Sequence, residues 1–179
     1  VRGQLDRARL SFAGGRVDDA ERALAPIVRA HPRSAELLAT WADVQRSKGD
    51  LHEAERALRV AAALEPLEPA HLHALGLLLL DGYGGKYALD AEGVLARAVR
   101  LRPGSAQIWV ALADARWAAG RLDAASAAYD RALSLGTGDW MGRAEARRGE
   151  RPDREQAIEA PVLPVSESKL PLGYWVARV

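Results

Sequence analysis

The chain has 179 residues, of which 49% are hydrophobic and 27% are charged, as in an ordinary soluble globular protein. Its formal net charge of +1 provides no basic excess for a nucleic-acid backbone, and the absence of cysteine excludes disulfides and thiol chemistry. No apolar run approaches the length of about eighteen residues that a membrane-spanning helix needs, so we expect none in this segment.

The composition leaves the compartment unknown. A soluble chain without cysteine is compatible with both the cytoplasm and the periplasm. The sequence begins at Val1 without a methionine, so we expect the N-terminus to be truncated.

Apolar residues recur every three to four positions and predict eight helices in four consecutive pairs. The predicted pairs span 2–14 and 17–30, 34–48 and 51–64, 68–81 and 88–101, and 105–119 and 122–135. Gly15, Gly49 and Gly120 each follow a predicted helix, where a left-handed turn residue favours glycine. Ser34 and Ser105 are predicted N-caps.

Small residues recur at equivalent points of the helix pairs, which predicts close contacts between helices. Two series of small residues each have two steps of 34 residues and one of 37: Ala8, Ala42, Gly76 and Ala113; and Ala20, Ala54, Ala91 and Ala125. A series of larger residues has the same steps: Leu24, Leu58, Leu95 and Tyr129. A pair of 34 residues cannot bury its own apolar face and must stack on its neighbours. The period therefore predicts a helical solenoid.

The last pair carries the pattern Trp…Leu-Ala…Gly…Ala…Tyr…Ala between Trp109 and Ala132. Prolines close the first three pairs at Pro32, Pro66 and Pro103. In this pattern the chain resembles the tetratricopeptide repeat (TPR) family over residues 1–137. The resemblance implies an all-α, right-handed α-α solenoid of four helix hairpins that takes part in protein–protein interactions.

The third pair departs from this pattern, because its turn at 81–87 is three residues longer than the others. The run from Leu75 to Asp90, with Gly82-Tyr83-Gly84 at its centre, resembles a SEL1-type repeat. Its Gly-Lys ending is not a phosphate-binding loop. Such a loop would need glycine in place of Leu80 and serine or threonine in place of Tyr87.

The repeat pattern ends near Thr137, and two further segments follow it. Residues 138–160 are predicted to form a capping helical segment, with a short helix from Trp140 to Arg148 and another that could begin at Pro152 and end at Ala160. Residues 161–179 are predicted to be an extended apolar tail, because they combine prolines with aromatic and branched residues. We expect this tail to dock on the solenoid, with Trp175 as anchor. A second copy of the chain, giving self-association, and a partner protein are the alternative surfaces.

No group of residues predicts catalysis, so we expect no enzyme activity, cofactor or metal. His71 and His73 lie two positions apart on a helix, which turns them about 200° apart, so they cannot share a metal. No serine lies in a nucleophile-elbow sequence. Paired acidic residues such as Asp18 and Asp19 lie at helix starts, where they favour the positive end of the helix.

The resemblance places the first helix of each pair on the concave face. There, a second stripe lies beside the packing stripe and forms the predicted peptide-binding groove: Leu5, Arg9, Phe12, Ala39, Asp43, Arg46, His73, Leu77, Leu80, Val110, Asp114 and Trp117. Apolar surface rimmed by charge is typical of a binding site. The alternative is that these side chains contact the neighbouring repeat or, for Trp117, a capping element.

The sequence therefore predicts a scaffold that binds a peptide or helix of a partner protein in a concave groove. Leu5, Ala39 and Val110 stand where a TPR site for a C-terminal carboxylate would need charged or amide side chains. One alternative is an RNA-binding helical-repeat protein, which the near-neutral charge and Asp43 disfavour. The other is an accessory interaction domain of a larger enzyme or sensor.

Overall fold

The computed structural model describes residues 2–136 and 138–149, and within these ranges the chain is almost entirely helical. The helices are α1 (Arg2–Ala13), α2 (Val17–Ala30), α3 (Ala35–Lys48), α4 (Leu51–Leu64), α5 (Pro69–Leu77), α6 (Ala88–Leu101), α7 (Ala106–Ala118), α8 (Leu122–Leu135) and α9 (Met141–Gly149). The all-α prediction is confirmed. The end of the predicted capping segment and the whole predicted tail, 161–179, lie outside the described residues.

The turns within three of the hairpins use glycine as predicted. Gly15, Gly49 and Gly120 have φ angles of 74°, 86° and 72°, a region that side chains disfavour. Ser34 caps α3, because its hydroxyl accepts a hydrogen bond from the backbone N–H of Leu37 at 3.4 Å. Ser105 occupies the corresponding position before α7, but its side chain makes no capping hydrogen bond.

The third hairpin corrects the predicted helix over 68–81. Its α-helical hydrogen bonding ends at Leu77, and a π turn (Leu78–Gly82) follows. A π turn adds a residue to the helical winding. This wider turn accompanies the burial of three consecutive leucines, Leu78, Leu79 and Leu80.

The longer loop of this hairpin is fixed to α4 by one aromatic side chain. The Tyr83 hydroxyl donates a hydrogen bond to the Glu55 carboxylate at 2.8 Å, and the Tyr83 ring meets Tyr87 edge to face. Burial, together with the Glu55 carboxylate, raises the pKa of Tyr83 to about 12. The phenol therefore remains a hydrogen-bond donor at neutral pH.

The helices stack in two layers, and the first helices of the hairpins form the inner layer. Each helix packs on the next one along the chain, and α1 also contacts α3 as α5 contacts α7. Among the described second helices, α2, α4, α6 and α8, no pair is in contact as closely as α1 with α3 or α5 with α7. We therefore assign the predicted concave face to the first helices, because two of their three neighbouring pairs are in contact.

The small-residue series lies where the helices meet, as predicted. Ala8, Ala42 and Ala113 are at most 1% exposed, and the second series of alanines is completely buried. Gly76, the glycine of the first series, faces Leu95 of α6. A Cβ added to Gly76 would lie 2.6 Å from the Leu95 Cδ2, so even alanine would displace this leucine.

We expect Ala42→Leu and Ala113→Leu each to lower the free energy of unfolding by about 1–3 kcal/mol, because the larger side chain overpacks a closed helix contact. Thermal or urea unfolding followed by circular dichroism measures this change. Ala127→Leu is the matched control, because Ala127 is exposed on α8. Equal stability of the wild type and both core variants would contradict the proposed helix contacts.

Candidate functional site: the concave face

The structure divides the twelve predicted groove residues into two groups. Four are buried: Leu5 (3% exposed), Leu80 (8%), Val110 (4%) and Asp114 (9%). These four side chains pack against neighbouring helices, which is the alternative that the sequence left open. The other eight keep part of the side chain open: Arg9, Phe12, Ala39, Asp43, Arg46, His73, Leu77 and Trp117.

At the N-terminal end, Arg9 joins the first two hairpins across the concave face. Its guanidinium donates a hydrogen bond to the Glu36 carboxylate at 2.9 Å and another to the Thr40 hydroxyl at 3.3 Å. Both partners lie on α3, so Arg9 is already engaged before any ligand arrives. Because the Arg9–Glu36 pair is solvent-exposed, it orients the two helices more than it stabilises them.

A cleft of about 210 Å³ opens in the concave face between α3 and α5. It is lined by Ala42, Asp43, Arg46, Leu58, Ala70, His73, Ala74 and Leu77. The cleft exists because alanines face each other where longer side chains would fill the space. Leu58 of α4 is 4% exposed and contributes apolar surface beneath it.

Two titratable side chains face this cleft, and burial shifts the pKa of each towards its neutral form. Burial raises the pKa of the Asp43 carboxyl, and the nearby Arg46 and Arg9 guanidinium groups oppose this shift. Burial also lowers the pKa of His73. At neutral pH the imidazole is therefore uncharged, whereas Asp43 holds its charge in a partly desolvated position.

At the C-terminal end, α9 lies against α7 and α8 and covers Asp114. The Asp114 carboxylate accepts hydrogen bonds from the Tyr129 hydroxyl and from Arg147, both at 2.5 Å, and Arg143 lies 3.1 Å away. Arg147 also lies over the Trp117 ring, 5.8 Å from its centroid. This part of the predicted groove is therefore occupied by the chain itself.

Burial, together with the hydrogen bond to Asp114, raises the pKa of Tyr129 well above its ordinary value. The phenol therefore donates its proton to the carboxylate throughout the physiological range. Two arginines on one buried carboxylate leave a positive excess at this end of the concave face. Neutral donors and charged groups together satisfy a carboxylate that the helices have removed from water.

The sequence prediction missed two parts of the site. One is the binding of Asp114 by the predicted capping helix, although Arg143 and Arg147 lie four residues apart and share one face of a helix. The other is the cleft, whose Ala70 and Ala74 lie outside the predicted stripe. The recurring small residues could have indicated it, since small side chains on facing helices leave either contact or space.

Among the described residues, no set of three or more potential ligand side chains is arranged to hold a metal ion. The same part of the chain contains no helix with the length and apolarity needed to cross a membrane. The features that the structure does show are stacked helix hairpins, a concave face of first helices and a cleft between two of them. These define a helical-repeat solenoid.

Comparisons with known proteins identify the repeat. Residues 88–139, which include α6, α7 and α8, match the family model described as tetratricopeptide repeat. A search of curated proteins finds no match. The SEL1-like character of the third hairpin remains a prediction.

Solved structures share the fold at low sequence identity. A crystal structure of MamA superposes with a TM-score of 0.70 and 22% identity, over 79% of this chain and 80% of that one. TTC0263, a TPR protein of Thermus thermophilus, gives 0.65 and 21%, over 82% and 78%. An O-GlcNAc transferase of Thermobaculum terrenum gives 0.65 and 24%, covering 74% of this chain but only 26% of the enzyme.

We expect Asp114→Asn to lower the free energy of unfolding by about 2 kcal/mol, because it removes the charge that Arg147 and Arg143 bind. Urea unfolding measures the change. Asp130→Asn is the matched control. Asp130 of α8 forms an exposed ion pair with Arg148 of α9 at 3.2 Å. The control loss should stay below about 1 kcal/mol. Equal effects of the two substitutions would contradict a special role for the buried carboxylate.

The lowered pKa of His73 predicts a pH-dependent stability. The unfolded chain takes up this proton at a higher pH than the folded chain, so acidification favours unfolding. Between about pH 7 and pH 5, the wild type should therefore lose more stability than His73→Gln. Urea unfolding across this range measures it, with His31→Gln as the control at an exposed histidine. Parallel curves for the wild type and His73→Gln would contradict the shift.

Proposed function

We propose that this chain is a non-catalytic scaffold whose concave face binds an extended peptide or a helix of a partner protein. The observation that carries the proposal is the open surface of the inner layer, where apolar and charged side chains alternate along stacked helices. Phe12, Ala39 and Leu77 provide the apolar part, and Arg9 and Asp43 provide the charged part. Such surfaces bind through a few apolar anchors with a polar rim.

The charges of this face favour a peptide over RNA. Its arginines and carboxylates lie together in ion pairs, as Arg9 does with Glu36 and Arg46 with Asp43. Within the described residues, the net positive end lies at α9, and no basic track follows the α1, α3 and α5 helices. RNA affinity would need such a track along the whole face. A binding constant that falls steeply with salt would favour RNA.

The chain also fits the role of an accessory interaction domain. The O-GlcNAc transferase shows that a solenoid of this fold exists as about a quarter of a larger enzyme, since the match covers 26% of that chain. The same binding function would then recruit a protein to a separate catalytic domain. As an accessory domain the chain would be part of a larger protein, and its groove would bind the same kind of peptide.

The experiment selects a ligand and then locates it. A phage library of random dodecapeptides is panned against the full chain, and an enriched peptide is titrated into ¹⁵N-labelled protein. We expect the perturbed amides to lie on the inner helices α1, α3, α5 and α7. Perturbations confined to α2, α4, α6 and α8, or a library without any enriched peptide, would contradict the proposal.

A substitution that blocks the groove tests the same site by affinity. Ala39 is half-buried on the concave face of α3, so Ala39→Trp should weaken the enriched peptide at least about tenfold by filling the surface. Ala127→Trp is the matched control. Ala127 is exposed on α8, away from the first helices, so this substitution should not change the affinity for the peptide. Circular dichroism verifies that both variants remain helical. Equal affinities of the two variants would place the binding site elsewhere.

A further inference from the structure

The cleft between α3 and α5 has the size and the lining of a pocket for one apolar side chain. Its volume of about 210 Å³ exceeds the roughly 150 Å³ of an engineered apolar cavity that binds benzene. Leu58 and Ala42 supply buried apolar surface, and Leu77 stands half-exposed at the wall. A leucine, methionine or phenylalanine side chain fits within this volume.

Among the described residues, no side chain donates a hydrogen bond to the Asp43 carboxylate beside this pocket, and the Asp43 side chain is 49% exposed. Its one ion-pair partner among the described residues is Arg46, whose Nη2 lies 3.7 Å away and beyond hydrogen-bond distance. Asp114 occupies the matching position on α7. In contrast to Asp43, its carboxylate is bound by a tyrosine hydroxyl and two arginines. A carboxylate open to water exchanges that water for a charge-assisted hydrogen bond when a ligand supplies a cationic donor.

Two cations, Arg46 and Arg9, lie near Asp43, but neither makes a hydrogen bond with its carboxylate. Arg9 is held by Glu36 on α3, and Arg46 is half-exposed and only loosely paired. His73, which faces the same cleft from α5, is kept neutral at pH 7 because burial lowers its pKa. Among the described residues, Arg46 is therefore the cation that a basic residue of the ligand would join or replace at the carboxylate.

We propose that the α3–α5 cleft sets the sequence preference of the concave face. It takes an apolar side chain of the partner, while Asp43 binds a lysine or arginine adjacent to that side chain. The inference rests on the proposed peptide-binding function and adds to it the chemistry of the partner: an aliphatic or aromatic residue next to a basic one.

The test uses the dodecapeptides enriched on the full chain. We expect their consensus to contain an apolar residue next to lysine or arginine. Asp43→Asn should weaken such a peptide about tenfold, and replacing the basic residue of the peptide by glutamine should weaken it equally. The two changes together should cost no more than either alone, because both remove the same contact. Asp123→Asn, at an exposed carboxylate of α8, is the matched control and should leave affinity unchanged.

A second variant examines the apolar pocket. Ala74→Leu fills the cleft from α5 and should weaken the peptide about tenfold, with unchanged melting temperature as the control for folding. If that variant does not fold, replacing the apolar residue of the peptide by serine measures the same contact on the wild-type chain.

The outcomes separate this inference from the proposed function. Enriched peptides that bind the inner helices but have an acidic or uncharged consensus, or that bind Asp43→Asn as tightly as the wild type, would overturn the inference and leave the scaffold function intact. Additive losses from the two changes would overturn the pairing with Asp43. A library without any enriched peptide would overturn both proposals.

Discussion

Close approach of helices at small side chains is the constraint on which the rest of this structure depends. A hairpin of two short helices has too little apolar surface to be stable alone, so each must bury a face on the next. Ala8, Ala42 and Ala113 are buried where helices meet, and Gly76 permits a close contact with Leu95 of α6 in its own hairpin. The contact between first helices then creates the concave face.

The concave face combines two kinds of charged group, and their surroundings decide what each can do. Asp114 is enclosed by Tyr129 and the arginines of α9, so its charge serves the solenoid itself. Asp43 occupies the corresponding place two hairpins earlier, where Arg46 and Arg9 lie near but make no hydrogen bond with it. The same residue type at equivalent positions is therefore structural at one end and open to a ligand at the other, because α9 packs against only one of them.

The third hairpin shows how a repeat accommodates added residues without losing its packing. Its three extra residues lie in a glycine-containing loop after a π turn, and Tyr83 fixes this loop to Glu55 of the preceding hairpin. The three leucines of the turn remain in the central core. The change of winding next to α5 also borders the cleft, since Leu77 is both the last residue of α5 and part of the cleft wall.

The sequence alone determined the helices of three hairpins, their glycine turns and the stacking, because these depend on local periodicity, on glycine at left-handed turns and on the repeat spacing of a solenoid. The early end of α5 at Leu77 was not among these predictions. It also placed Arg9, Asp43, His73 and Leu77 on one face. Only the tertiary structure decided which groove residues are open, since burial depends on the neighbouring helix. Asp114 was hidden by arginines that lie 29 and 33 residues further along the chain. The cleft likewise arises from the space that alanines of two separate helices leave between them, and no periodicity within one helix records that distance.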